Sequence, residues 1–336
     1  MTLMTLGRRP GPLMPPAERS RGMLDRLARF GDRMDFYAPG LKRWQTEEWT
    51  PSKPHRFVSI SVTGTGCALS CEHCKTNVLK GMIALGGRSL FEVARELATG
   101  GTEGLLVSGG STRSGGVPLE PHFGDLRRIK DELGLLVIVH SGVVSPRLAA
   151  GLASAGVDGA MLDVIGADET IRDIYHLDLT TADFERSIAR LAEAGLTIIP
   201  HIVLGLHGGQ FRGEANALEM IRRHPVSTLV LVVLTPLVGT PMEHLPPPPL
   251  ADVVGFFARA RAAMPGTPIN LGCARPLGPM KVALDKAAID AGLNGIAYPA
   301  EGVIDYARRS GLRPALFESC CSITLPVTLP ATRSGA

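Results

Sequence analysis

Short β-branched runs alternate with longer amphipathic stretches through most of the chain. The apolar runs FVSISVT (57–63), GLLVSGG (104–110), LLVIVHSG (135–142), GAMLDVIG (159–166), LTIIPHIVLG (196–205), TLVLVVLTP (228–236), TPINLGC (267–273) and NGIAYP (294–299) predict eight strands. Between them, SLFEVARELATG (89–100), SPRLAAGLASAG (145–156), TADFERSIARLAEAG (181–195), PLADVVGFFARARAAM (249–264) and MKVALDKAAIDAG (280–292) show helical periodicity, several ending on a glycine that can close a helix. Strand, helix, strand in succession implies parallel neighbours, because parallel pairing needs a crossover. Eight such units closing on themselves make a parallel (βα)8 TIM-type barrel, complete or nearly so. An open doubly wound sheet is the alternative, since closure is not written in the periodicity.

The pattern divides the chain into an N-terminal extension over 1–50, partly flexible, a barrel over 51–315, and a C-terminal tail over 316–336. The tail bears Cys320 and Cys321 and is expected over the barrel mouth. HLPPPPL (244–250) is too short to separate domains and reads as a stiff local connector. At 336 residues, with 45% hydrophobic residues, 5% aromatic and 39 glycines, the composition suits one large α/β domain or two small ones. The +3 net charge comes from 35 basic and 32 acidic residues spread along the chain, which gives no footprint of a nucleic-acid or membrane-surface binder. The longest apolar run stops at Pro236, short of a membrane span, and the Pro/Arg-rich start has no long apolar segment of a secretion signal. A cytoplasmic location is expected, and there six cysteines serve as ligands or catalytic thiols rather than disulfides.

The candidate chemistry starts in GTGCALSCEHCKTN (64–77), where Cys67, Cys71 and Cys74 follow the first strand at C-x3-C-x2-C spacing. In a parallel barrel the carboxyl ends of the strands hold the chemistry. Three thiolates on one short loop can hold three irons of a 4Fe-4S cubane and leave the fourth iron open. That iron can take the amino and carboxylate groups of S-adenosylmethionine, and an electron from an external donor can then cleave the sulfonium to methionine and a 5′-deoxyadenosyl radical. The competing readings are a zinc site with His73 as a further ligand and plain buried thiols.

On this motif the sequence resembles the radical S-adenosylmethionine superfamily over about residues 57–322, and within it the biotin-synthase-related group. The resemblance implies that the residue before the third cysteine packs near the adenine. That residue is usually aromatic hydrocarbon and is His73 here. SGGST (108–112) is similar to the superfamily's Gly-Gly-Glu stretch, which implies that Ser108, Gly109 and Gly110 receive the methionine ammonium, with Ser111 standing in place of the acid. IYHLDLTTADFERSI (174–188) resembles the group's strand-four stretch, implying cofactor contacts from His176 and Asp178. The plainer reading of that stretch is a helix start capped by Thr180 or Thr181. PHIVLGLHGGQ (200–210) resembles the glycine-rich segment that lies against the adenine. His201 within it reads equally as a core histidine. Asp163 and His140 end strands four and three, where an inward polar group needs a partner.

Three cysteines remain. Cys273 follows the seventh strand in NLGCARP, and Cys320 and Cys321 form the pair in FESCCSI. A tail crossing the barrel mouth brings the pair to Cys273, and the three together can ligate a second, auxiliary iron-sulfur cluster, with Arg275, Ser319 or Ser322 completing it. A vicinal disulfide and three unconnected thiols are the alternatives. Forming a C–S bond at an unactivated carbon needs both a strong hydrogen-abstracting radical and a sulfur donor, a division of labour shared by biotin and lipoyl synthases. The combination of cysteine motifs resembles components of the two-protein lipoyl synthase. That resemblance implies a sulfurtransferase acting on an octanoyl chain carried by a lipoyl domain or a glycine-cleavage H protein, working with a companion synthase. The other readings are a radical lyase, mutase or cofactor maturase without sulfur transfer, and a zinc-stabilised interaction module.

Overall fold

The computed structural model describes residues 20–40, 42–52 and 55–322; residues 1–19 and 323–336, the start of the expected extension and the end of the expected tail, lie outside them. The strands are β1 (Arg33–Tyr37), β2 (Phe57–Ser61), β3 (Ile83–Ala84), β4 (Gly104–Ser108), β5 (Leu136–His140), β6 (Gly159–Asp163), β7 (Ile198–Leu204), β8 (Leu229–Val233), β9 (Ile269–Leu271), β10 (Gly295–Ala297) and β11 (Arg313–Phe317). They form one sheet in the order β11-β1-β10-β9-β8-β7-β6-β5-β4-β2-β3, and every ladder in it is parallel. The helices are α1 (Arg21–Phe30), α2 (Leu90–Thr99), α3 (Phe123–Arg128), α4 (Pro146–Ala155), α5 (Asp168–Tyr175), α6 (Thr181–Glu193), α7 (Glu214–Arg222), α8 (Leu250–Ala263), α9 (Pro279–Asp290) and α10 (Val303–Arg309).

All eight predicted strands are present, each trimmed of the turn residues the runs included. They are apolar on both faces, as parallel strands under helices must be. Val230, Leu231 and Val233 of β8 are all fully buried. Helix boundaries follow local chemistry. Ser89 and Glu92 make a reciprocal capping box at α2, Ser145 caps α4 ahead of Pro146, and Gly156 ends α4 in the left-handed region. Thr180 and Asp183 form the same box at α6.

The eight-unit parallel barrel, expected complete or nearly so, is a curled parallel sheet with no closing ladder among the described residues. The sheet has eleven strands, and among the described residues no ladder joins β3 or β2 to β11. It is nonetheless curled. Asn77, beyond β2, donates its side-chain amide to the Val238 carbonyl beyond β8 at 3.1 Å, although four strands lie between β2 and β8 in the ladder. The open seam is bridged by irregular chain: the Gly40 amide donates to Phe57 O at 2.9 Å, and the Ser52 amide donates to the buried Glu318 carboxylate at 2.5 Å. Both chain ends add to the sheet. β1 comes from the segment expected as an extension, and β11 runs across the 315/316 boundary. Among the described residues no helix is long and apolar enough to cross a membrane.

Candidate active site

The C-terminal ends of the strands gather both cysteine groups. After β2 the chain turns at Gly64 and winds through Cys67, Cys71 and Cys74. Ser70, Lys75 and Thr76 there adopt φ of 51°, 41° and 65°, a left-handed conformation costing non-glycine residues about 1–2 kcal/mol each. Neighbouring elements impose it. Ala68 N–H donates to Ser111 O at 2.8 Å, and Glu72 N–H donates to Ile174 O, at the end of α5, at 3.0 Å. Lys75 Nζ holds Ser70 O at 2.7 Å and Glu72 Oε1 at 2.9 Å. Gly110 packs against this loop: a Cβ there would lie 2.0 Å from Gly66 O and 2.6 Å from Cys67 Cβ. The Gly110 amide donates to Thr63 Oγ1 at 2.7 Å, and Gly109 would bring a Cβ to 3.0 Å from the same oxygen. Glycine is therefore required here by close approach to the cysteine loop. Ser108, at the end of β4, donates to His140 O at 3.2 Å.

The thiols of this loop interact with one another. The Cys71 thiol is pushed up, chiefly by donating to Cys74 and then by burial. Accepting from Cys71 pulls Cys74 well down against its own burial, and His73 adds to the effect. One thiolate thus forms readily beside a retained thiol. His73 Nδ1 is buried without a hydrogen-bond partner, and its ring lies 5.1 Å from that of Tyr175. The Tyr175 hydroxyl is likewise buried with no partner in hydrogen-bonding geometry, while its carbonyl faces Cys71 Sγ at 4.0 Å. Tyr175 was invisible to the pattern analysis because it ends a helix of only two turns.

Across the interior, Asp163 and His201 are register partners on β6 and β7. His140 Nε2 lies 3.7 Å from Asp163 Oδ1, and the His140 and His201 rings are 5.9 Å apart. Burial by itself would raise the Asp163 carboxyl, but His140, His201 and His73 together bring it down to about 2. Burial, aided by His140, lowers His201 to about 4, so it stays a neutral ring whose Nδ1–H donates to Ile199 O, 3.1 Å away. The inward acid at the end of the fourth predicted strand therefore has its partner.

His176 and Asp178, expected as cofactor contacts, lie on the turn between α5 and α6. The stretch 174–188 is the end of α5, a turn, and α6; the strand at this point in the chain is β6. His176 is the left-handed cap of α5, and its Nε2 reaches Glu72 Oε1 at 2.7 Å, bracing the cysteine loop from outside. Asp178 is exposed on the turn. The Thr-rich signal was the helix cap.

The second cysteine group assembles from β9 and β11. Cys273 lies two residues past β9, and Cys320 and Cys321 follow β11, both buried. The Cys321 thiol is pushed up by donating to Cys273 and Cys320, and burial adds to this. Accepting from Cys321, with help from Ser322 and His140, lowers Cys320 to about 7 against its burial. Asn270 Nδ2 of β9 holds Cys321 O at 2.6 Å. Ser322 Oγ is buried with no partner in hydrogen-bonding geometry.

Arg275, expected as a possible donor to the second group, sits in a buried ion pair. Its Nε and Nη2 bind Asp285 at 2.5 and 3.1 Å, Nη1 binds Gly272 O at 2.7 Å, and Nη2 also binds Tyr298 O at 3.0 Å. Both charged side chains are 0% exposed. Arg275→Ala leaves the Asp285 carboxylate buried with only Lys281 and the Ala300 amide beside it, and is expected to cost about 3 kcal/mol of stability in urea unfolding. A loss within experimental error would show that these two donors satisfy the acid.

Among the described residues no three His, Cys, Asp or Glu side chains converge as around a single ion; a cubane takes its thiolates at separate iron corners. The residues present fit that group. Two trios of thiols stand at these strand ends, and buried polar atoms of His73, Tyr175 and Ser322 with no partner in hydrogen-bonding geometry lie on the same segments.

The family model described as the Radical SAM superfamily matches residues 61–230, spanning the first cysteine loop, the Asp163 cluster and the first two residues of β8. The chain is 24% identical over 250 residues to a biotin synthase of Prochlorococcus marinus, covering 68% of this chain and 73% of that one. It is 31% identical over 183 residues to a biotin synthase of Oleidesulfovibrio alaskensis, covering 53% and 54%. Among solved structures it resembles methylornithine synthase (PylB), at TM-score 0.59 and 14% identity over 88% of this chain and 87% of that one. It also resembles the FeFe-hydrogenase maturase HydG of Carboxydothermus hydrogenoformans, at TM-score 0.56 and 13% identity over 88% and 71%. With more than half of its length matched by the family model, and with the three cysteines of that family's loop in place, the chain belongs to the radical S-adenosylmethionine superfamily.

Proposed function

We propose that this enzyme inserts sulfur into an unactivated C–H bond, as one component of a two-protein lipoyl synthase acting on a protein-bound octanoyl chain. The observation that carries the proposal is the hydrogen bond from Asn270 of β9 to the Cys321 carbonyl, which seats Cys320 and Cys321 beside the β9 end that bears Cys273, at the same strand ends as Cys67, Cys71 and Cys74. The similarity to biotin synthases supports it. In this reading Cys67, Cys71 and Cys74 hold the first cluster, and the later three cysteines hold an auxiliary one. When bound, the first cluster and S-adenosylmethionine supply a hydrogen-abstracting radical, and the second cluster supplies sulfur. The chain does the rest. Gly109 and Gly110 let the end of β4 pass close to the cysteine loop. His73 and Tyr175 wall one side of the space, and Asp163 with His140 presents a paired polar surface between the two thiol groups. Asn270 and Arg275 fix the β9 end from which Cys273 projects.

Iron and acid-labile sulfide in anaerobically reconstituted protein test the proposal. Wild type is expected to hold about eight irons per chain, and Cys273→Ala about four, as two cubanes and one would give. A wild-type content of about four irons, unchanged by Cys273→Ala, would replace sulfur insertion with a lyase, mutase or maturase reading.

A further inference from the structure

Phe317, Glu318, Ser319, Cys320, Cys321 and Ser322 are all at most 6% exposed, although β11, which leads into them, is an edge strand. β10 and β11 follow one another in the chain but are not neighbours in the sheet, because β1 stands between them. Arg33–Tyr37 lies in register with Arg313–Phe317 on one side, and Asp35, Phe36 and Tyr37 with Gly295–Ala297 on the other. The contact continues past the ladder. Ala38 N–H donates to Phe317 O at 2.8 Å, and the Tyr37 and Phe317 rings stack with centres 5.5 Å apart. Ser52 then donates to the Glu318 carboxylate from its amide at 2.5 Å and from its hydroxyl at 3.0 Å.

Glu318 stands two residues before Cys320, and its side chain is buried with the cysteine pair. A carboxylate in that setting is costly unless donors face it. Ser52 supplies two such donors from the segment between β1 and β2. Beyond the pair, Asn270 Nδ2 holds Cys321 O at 2.6 Å. Cys320 and Cys321 are therefore held between β9 and chain that precedes the first cysteine loop. Ala38, Ser52, Asn270 and all three later cysteines lie outside residues 61–230, so the second cysteine group is built where the two flanks of the family match come together.

We propose that Glu318 is a positioning residue for the second cysteine group, through which Ser52 and the N-terminal flank fix where Cys320 and Cys321 stand. That this group ligates a cluster rests on the sulfur-insertion reading. Its positioning does not.

The test compares Glu318→Ala, Glu318→Gln and Ser52→Ala with wild type in the full-length chain. Maleimide labelling of each cysteine in the reduced apoprotein is followed by mass spectrometry. Labelling of Cys320 and Cys321 is expected to speed up about tenfold in Glu318→Ala, since the segment opens more often once the hydrogen bonds to a buried carboxylate are gone. Ser52→Ala keeps the amide donor and should show a smaller rise. Glu318→Gln keeps an oxygen that accepts from both donors and should stay near wild type. Cys67 and Cys74 should label as in wild type, whereas a general loosening of the fold would speed up both sets. After anaerobic reconstitution Glu318→Ala should hold about four irons against about eight in wild type. Unchanged labelling of Cys320 and Cys321 in Glu318→Ala, a rise shared by Cys67 and Cys74, or a Glu318→Gln variant as reactive as Glu318→Ala overturns the proposal. A rise confined to Cys320 and Cys321, in a protein whose wild type holds only about four irons, keeps the positioning role and removes the sulfur-insertion reading instead.

Discussion

Replacing Cys67, Cys71 and Cys74 together with alanine should reduce reductive cleavage of S-adenosylmethionine by about a hundredfold or more, because ligands that act as a unit fail as a unit. For the same reason each single Cys→Ala variant should come close to the triple. Cys74 accepts from Cys71 and is the first of the pair to ionise, so removing either changes the ionisation of the other. The loop itself should survive. Its path is held by Ala68 to Ser111, Glu72 to Ile174 and Lys75 to Ser70, none of which uses a thiol. The check is 5′-deoxyadenosine and methionine release under strong reductant, alongside circular dichroism and the iron content. Substantial 5′-deoxyadenosine from a folded triple variant would remove the first cluster from this site.

Much of this architecture was legible because parallel strands buried on both faces read as continuous apolar runs, and eight of them stood out. What stayed hidden were elements too short or too polar to show a period. β1 is RMDFY, with alternating charge, and is recruited by its parallel pairing with β10 and β11 rather than by its own pattern. α5 carries Tyr175, yet its two turns include four acidic or basic residues in DETIRDIY. Closure was the deeper failure. Whether a sheet closes depends on pairing between strands far apart in sequence, and here the seam is spanned by Gly40–Phe57 and Ser52–Glu318 contacts that no local pattern encodes.

The site divides along the same line. The first cysteine loop was readable from spacing alone, since its donors are adjacent in sequence. The second group was readable only as an inventory of thiols. Its assembly needs β9 and β11 to be brought together around β10 and β1, a fact of topology. His176 and Asp178 lie on the turn before α6, where the capping signal and the expected cofactor contacts overlap in sequence. The ion pair of Arg275 was not legible because its acid partner, Asp285, lies on a helix ten residues later.

Single replacement of Cys273, Cys320 or Cys321 by alanine should separate radical formation from sulfur transfer. The first cysteine loop shares no hydrogen bond with these three residues, so 5′-deoxyadenosine and methionine should still appear under strong reductant. Thiolation of an octanoylated carrier in the presence of the partner synthase should fall below detection. Cys273→Ala should be at least as severe as the others. Cys321 donates to both Cys273 and Cys320, and Cys273 projects from a β9 end fixed by Arg275 and Asn270, so its loss removes the rigid side of the trio. Cys320 and Cys321 stand on the segment after β11, where Asn270 holds the Cys321 carbonyl and Ser322 Oγ remains available beside Cys320. A sulfur donor held by these residues is consumed as it reacts, so wild type should give at most about one product per chain until sulfide is resupplied. Mass spectrometry of the carrier measures both quantities. If all three variants thiolate the carrier as wild type does, the three thiols have no part in sulfur transfer, and the radical made near Cys67, Cys71 and Cys74 serves a rearrangement or cleavage instead.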